Sequence, residues 1–259
     1  MSIHTTDAII LRKQDIRETS LSVVFYTRDF GKIRGLIKGV RGPRGPLGYQ
    51  VQIFTLNKIV FYDSKRAAMH TVSQCDLLDF FENIREDILK TGYAYYFVEL
   101  VDALTGEKDR NEDIFDLLLN SLKLLESGAS PKRISRILEI KLLMISGLMP
   151  RFDKCVLCDK QIDFKRASFD KTRFSYKSGG LICESCFEQD ASSCHILAGT
   201  AHFIDHVERA PYEKLARIKV SRDVGRELEG IMKKFLSYQL DTPVRSLEFL
   251  EKIQGVINS

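Results

Sequence analysis

Residues 31–48 read GKIRGLIKGVRGPRGPLG, and this stretch decides how the N-terminal third of the chain is built. It carries Lys32, Arg34, Lys38, Arg41 and Arg44 with no acidic residue among them. Its first half follows a period of two, with Lys32, Arg34, Leu36 and Lys38 on one face and Ile33, Gly35 and Ile37 on the other, as in a β-strand with one wet side. Its second half is crowded with glycine and proline, which a helix does not tolerate. A basic strand running into a glycine-rich basic loop suits a polyanion followed along its backbone, because each cation can find a phosphate without reading a base sequence.

Working outward, residues 6–75 contain five β-type runs: TDAIILR, LSVVFYT, GKIRGLIK, QVQIFTLNKIVFY and MHTVSQC. Most of the links are short, and Asp29-Phe30-Gly31 is short enough for a hairpin. Five such strands predict a small closed or partly open barrel. From about Asp76 the apolar period shifts towards 3.6. Leu77, Leu78, Phe81, Ile84 and Ile88 begin a helical pattern that continues to Gly106. A second helix is expected from Glu112 to Glu126. A third begins with Ser130 as its cap and Pro131 as its first residue, and stops at Gly147 and Pro150. Further helices are expected near residues 197–208, 221–238 and 246–257.

The helical pattern is interrupted by Cys155-Val-Leu-Cys158 and, twenty-four residues later, Cys183-Glu-Ser-Cys186. Two such turns offer the closed tetrahedral sulfur shell of structural zinc, one ion per chain. Phe169, Phe174 and Tyr176 alternate with polar residues before a turn at Gly179-Gly180, as in a zinc ribbon. A closed shell leaves no place for a reacting water, so the metal implies architecture and not hydrolysis. Cys194-His195 lies just beyond two already complete pairs. His202 and His206, spaced i, i+4, read as polar surface, and Cys75 reads as a small apolar residue.

With 259 residues and 44 % hydrophobic content, the chain has material for two modest domains or one large one, each with a real core. A net charge of +4 is mild, so a polyanion site must come from local clustering. No secretory leader pattern or long apolar run is seen, and neither secretion nor membrane insertion is expected. No P-loop, G-x-S-x-G, H-E-x-x-H or dinucleotide motif occurs, so a binder is expected and not an enzyme.

The chain resembles the RecO family of bacterial recombination mediators over essentially its full length. The matching features are AIILRKQDIRETSLSVVFYTRDFGKIRGLIKGVRGPRGPLG, with its T-R-D-F-G-K and K-G-x-R, the segment RILEIKLLMISGLMP, and FSYKSGGLICESC. The resemblance implies an α+β multidomain protein. An N-terminal OB-fold β-barrel (1–78) would be followed by an all-helical domain (79–150 and 193–259) with an embedded zinc-ribbon-like module of four cysteines (151–192). It implies a cytoplasmic, nucleoid-associated DNA repair protein that binds single- and double-stranded DNA and anneals complementary strands. With RecR it would help load RecA on strands covered by SSB, without ATP. Carried onto this chain, the family's basic surface matches Lys32, Arg34, Lys38, Arg41 and Arg44, and its zinc ligands match Cys155, Cys158, Cys183 and Cys186. A surface of Arg133, Arg136 and Lys141 near Ile134, Ile137 and Leu142 is the candidate for the acidic SSB tail. The rival readings are a protein-interaction adaptor and a zinc-ribbon RNA-binding protein.

Overall fold

The structure is a computed structural model that describes residues 2–16, 19–40, 51–63, 69–163, 171–215, 218–240 and 242–257. Its residues group into two compact units, 1–135 with 244–259 and 136–243.

The first unit is organised by a closed barrel of five strands in the order β1-β2-β3-β5-β4. These are β1 (Ile3–Ile16), β2 (Ser20–Thr27), β3 (Gly31–Ile37), β4 (Leu56–Tyr62) and β5 (His70–Asp79). The long β1 serves two neighbours, pairing with β4 through its first half and β2 through its second, with a register shift between Ile10 and Arg12. Such a shift bends a strand, and here it lets one strand turn the corner of the barrel. Closure is completed by parallel pairing of β3 with β5, where Gly35 lies opposite His70. A Cβ on Gly35 would sit 2.5 Å from Val72 Cγ2, so only glycine admits this approach.

The alternation expected in β3 is present: Gly31, Ile33, Gly35 and Ile37 are buried while Arg34 is exposed. Ile33 and Ile37 join Phe25, Ile59, Phe61, Val72 and Cys75 in the barrel core. Cys75 is thus a core residue, and burial pushes its thiol up to about 12. The fourth run is shorter than its sequence suggests. Residues 51–55 form no strand, and Phe54 takes φ 58°. That turn is held by Thr55 Oγ1 donating to Gln52 O at 2.7 Å and by Phe54 N donating to Ile10 O at 2.8 Å.

The single helix expected from Asp76 to Gly106 is corrected. β5 continues to Asp79, leaving Leu77 and Leu78 exposed, and two helices follow: α1 (Glu82–Arg85) and α2 (Ile88–Leu104). Asp87 separates them. Its side chain accepts from the N–H groups of Leu89 and Lys90, the bond pattern of a helix start, so the apolar period carries across a real break. Arg85 anchors the short helix by donating to Phe80 O and Ile53 O, its guanidinium over the rings of Phe54 and Phe80. Next come α3 (Glu112–Glu126), capped by Asn111, and α4 (Pro131–Ile145), inside which the division between units falls.

The second unit holds a three-stranded sheet, β7-β6-β8, formed by β6 (Thr172–Ser175), β7 (Gly180–Cys183) and β8 (Cys194–His195). Three helices follow, α5 (Ala198–Arg209), α6 (Tyr212–Leu215) and α7 (Arg222–Gln239). The last, α8 (Arg245–Ile257), belongs to the first unit, where Leu250 Cδ2 packs 2.7 Å from the place a Gly92 Cβ would take. No described helix is long and apolar enough to cross a membrane. The architecture is a five-stranded OB-like barrel followed by a helical region with an embedded cluster of four cysteines.

Candidate nucleic-acid interface and metal centre

Strand β3 leaves the barrel with its odd-numbered residues inward, which sends Lys32, Arg34 and Leu36 to the other face. That face is not uniformly wet. Lys32 Nζ donates to Asp102 O at 2.6 Å and to Asp102 Oδ1 at 3.1 Å, and its side chain is only 12 % exposed. The expectation of Lys32 in solvent is corrected: it is a tie between β3 and α2, its charge held by a carboxylate of the same unit. Arg12 reaches the other oxygen of Asp102 at 3.6 Å. The acid lies seventy positions along the chain, and no local pattern points to the pairing.

Further along, the grip loosens. Arg34 meets Glu107 at 3.2 Å, but both side chains are largely exposed, and a pair in that setting contributes about 0–1 kcal/mol and exchanges readily. Lys38 is exposed and has no ion-pair partner among the described residues. Arg41 and Arg44 lie outside the described residues. Arg28, another barrel arginine, is committed elsewhere, donating to Glu112 and Asp116 of α3 and covering the ring of Phe115. Hydrogen bonding to Asp116 is the main reason its guanidinium is held above the ordinary value.

Cations not singled out in the sequence extend the same edge. Lys108 N donates to Lys32 O at 2.9 Å, so residues 106–110 run beside the start of β3. Gly31, at φ +65°, makes room: a Cβ there would fall 2.2 Å from Asp109 O. Lys108 and Arg110 are exposed on this segment. Only the three-dimensional pairing brings them beside residues seventy positions earlier.

The surface expected around Arg133, Arg136 and Lys141 is corrected. Ile134, Ile137 and Leu142 are 0–1 % exposed and belong to the interior. Arg136 bonds Glu139 at 2.8 Å, and Lys141 Nζ donates to Glu208 O and Ala210 O at the end of α5. Arg136 and Lys141 are thus structural ties and not free cations of a basic patch.

The four cysteines do converge. The sulfurs of Cys155, Cys158, Cys183 and Cys186 lie within 4.8 Å of one another, with Cys158 to Cys183 at 3.6 Å and Cys183 to Cys186 at 3.7 Å. Metal–sulfur bonds of about 2.3 Å in a tetrahedron place sulfurs about 3.8 Å apart, so the spacing fits a four-thiolate shell. The geometry is local. Asp159, at φ 57°, closes the first turn with its N–H on Cys155 O, and Val156 N donates to Leu181 O, fastening that turn to β7. β6 and β7 form the expected hairpin, with Ser175 opposite Gly180. Phe174 and Tyr176 pack in it, while Phe169 lies outside the described residues.

Burial alone would raise the Cys155 thiol, but N–H donors from Cys183, Leu157 and Cys158 outweigh it and bring it down to about 6. Burial and the neighbouring sulfurs hold Cys183 and Cys186 up. Cys194 stands apart, 3.0 Å from Tyr176 Oη, and His202 and His206 are exposed on α5.

Comparison with known proteins places both parts of the chain. Residues 1–81 match the family model for the N terminus of recombination protein O, and residues 85–248 match that for its C terminus. A DNA repair protein RecO of Alkaliphilus metalliredigens is 32 % identical over 250 residues, 96 % of this chain and 98 % of the relative. That of Caldicellulosiruptor saccharolyticus is 30 % identical over 246 residues, 95 % of this chain and 97 % of the relative. That of Halalkalibacterium halodurans is 26 % identical over 253 residues, 98 % and 96 % of the two chains. None of these descriptions names a catalytic activity.

Proposed function

This chain belongs to the RecO family of DNA repair proteins, and on that premise we propose that it binds DNA backbones along the β3 edge and the glycine-rich stretch that follows, and anneals complementary strands there. The observation that carries the reading is the change of state along β3. Lys32 is locked to Asp102, Arg34 is half released, and Lys38 is exposed with no ion-pair partner among the described residues, just before the stretch that carries Arg41 and Arg44. Cations in that order can neutralise two strands in turn and lower their repulsion while complementary bases meet. No nucleotide hydrolysis is required. In the same reading, RecR and the SSB tail are the partners through which RecA is loaded on covered strands.

Four phosphates held by Arg34, Lys38, Arg41 and Arg44 predict that log affinity for single strands falls against log salt with a slope of about −3. Replacing Lys38, Arg41 and Arg44 together by alanine should flatten the slope to about −1 and slow annealing of SSB-covered strands. Unchanged slope and annealing in the triple variant would remove this edge from the mechanism.

The ion of the cysteine cluster we take to be zinc. The four ligands are thiolates, the sulfur spacing is tetrahedral, and no position is left for water. When bound, it supplies a cross-link and no chemistry. Metal analysis with thiol titration is expected to return one zinc and four protected thiols per chain; a metal-free protein with four reactive thiols would refute the assignment.

A further inference from the structure

At the end of the barrel where β1 begins, a cleft of about 300 Å³ opens within the first unit. Four rings form its lining in a connected set: His4 to Phe30 at 4.7 Å, Phe30 to Phe61 at 5.2 Å, and Phe61 to His70 at 5.3 Å between centroids. Phe61 and His70 are buried and make the floor; His4 and Phe30 are half-buried and make the walls. Burial, opposed by Asp63, keeps His70 below its ordinary histidine value, so the floor ring is neutral near pH 7.

Two carboxylates also line the cleft. Asp29 accepts from Thr6 Oγ1 at 2.6 Å, and Asp63 lies 3.3 Å from His70 Nδ1. Ile33 adds an apolar contact, and Lys108 and Arg110 complete the lining, carried by the segment that Gly31 seats against β3. Arg110 is 60 % exposed, with Glu112 no nearer than 4.0 Å.

This division of charge discriminates between ligands. A phosphate pushed into the cleft would meet two carboxylates, whereas at the mouth it would meet two exposed cations. A flat group with N–H donors on its edge suits the interior, stacking on rings and donating to carboxylate oxygens. The volume is at the lower end of small-ligand sites and is enough for one such ring. We propose that the cleft takes one unstacked base of a single strand, preferring a base with an exocyclic amine, while Lys108 and Arg110 hold the adjoining phosphates. The proposal rests on the reading of the barrel as a DNA-binding module and adds to it a base-dependent site.

The test uses the full chain and three single strands of equal length: deoxycytidine, thymidine, and abasic sites. Stacking and edge contacts predict that the deoxycytidine strand binds about tenfold tighter than the abasic one, with thymidine between them. Phe30→Leu keeps the apolar filling but removes a ring, and should bring the deoxycytidine-to-abasic ratio near one. His4→Ala, at a half-buried position outside the barrel core, is expected to reduce the ratio in the same direction and serves if Phe30→Leu does not fold. A ratio unchanged in the variants overturns the cleft while leaving backbone binding intact. Equal binding of deoxycytidine and thymidine overturns the preference for an amine. If the wild-type chain bound none of the three strands, the DNA-binding reading itself would fall, and the cleft with it.

Discussion

The barrel and the cysteine module are both small β structures, yet they are held by different forces. The barrel core is a contiguous set of large apolar side chains, with Phe25 and Ile59 fully buried and Phe61 nearly so. The corresponding cluster of the module consists of Cys155, Ile182, Cys183 and Cys186, with Val156, Ile162 and Phe187 partly buried around it. Three of its four buried members are thiols. That cluster contributes little hydrophobic free energy of its own; burial and neighbouring sulfurs hold the Cys183 and Cys186 thiols up, while N–H donors bring Cys155 down. The barrel is closed by burial of its own side chains; in the module, an ion held by the four sulfurs would add a cross-link to the packing of Phe174 against Phe152, Tyr176 and Phe235.

The largest effect should therefore follow metal removal. Structural zinc in comparable sites contributes roughly 10 kcal/mol or more near neutral pH, so chelation, or Cys183→Ser, is expected to remove hydrogen-exchange protection from β6 and β7. Protection of β1 to β5 should persist. Protected β6 and β7 amides in the stripped protein would break the comparison. Proton competition gives the sign with pH. Cys155, lowered to about 6, favours its thiolate and loses that contribution as pH falls from the ordinary thiol range through 6. Cys183 and Cys186, held up, must surrender protons to the metal, so affinity should rise with pH over the same interval and each binding event should release protons.

The converse is Phe25→Ala in the barrel. Deleting a fully buried phenylalanine costs about 3–5 kcal/mol, which should appear as an earlier denaturant midpoint of the first unit. Metal content should not change. Loss of the ion at the barrel's new midpoint would mean that the two regions melt as one.

The same contrast explains what can be read from sequence. The cysteine module is legible because two C-x-x-C turns bring its four sulfurs together from local spacing. The helix Glu112–Glu126 and the start at Ser130-Pro131 are legible because caps and period are local. The extended helix from Asp76 is a misreading. Leu77 and Leu78 fit a helical period but are exposed residues of a strand, Leu77 opposite Asn57 and Leu78 at the register shift beside it, and that pairing partner lies twenty positions away in sequence. The candidate interface fails in the same manner at one position. Five cations without an acid among them read as a free basic edge, but the acid that claims Lys32 is Asp102 of α2. Arg41 and Arg44 are placed by sequence alone.

A moderate effect is expected from Lys32→Met, which keeps the apolar stem and removes the charge. Among the described residues Asp102 would then face only the more distant Arg12, and loss of a largely buried charge-assisted bond costs about 1–3 kcal/mol. Thermal unfolding should register the loss in the barrel unit, while the slope of log affinity against log salt stays as in the wild type. A flattened slope with unchanged stability would place Lys32 with the DNA-binding cations after all.

The smallest stability effect belongs to Lys38→Ala. The residue is exposed, lies just past the end of β3, and carries no tie among the described residues, so its removal should shift unfolding by less than about 0.5 kcal/mol. If Lys38 neutralises one phosphate, however, the single-strand slope should become shallower by about 0.7. Lys32 and Lys38 are both lysines of one basic stretch, six positions apart, on the same face by period. One should cost stability without slope, the other slope without stability. The cause is that α2 presents Asp102 at the start of β3, while Lys38 has already passed beyond the strand. An equal response from the two variants would mean that this difference in partners does not set their roles.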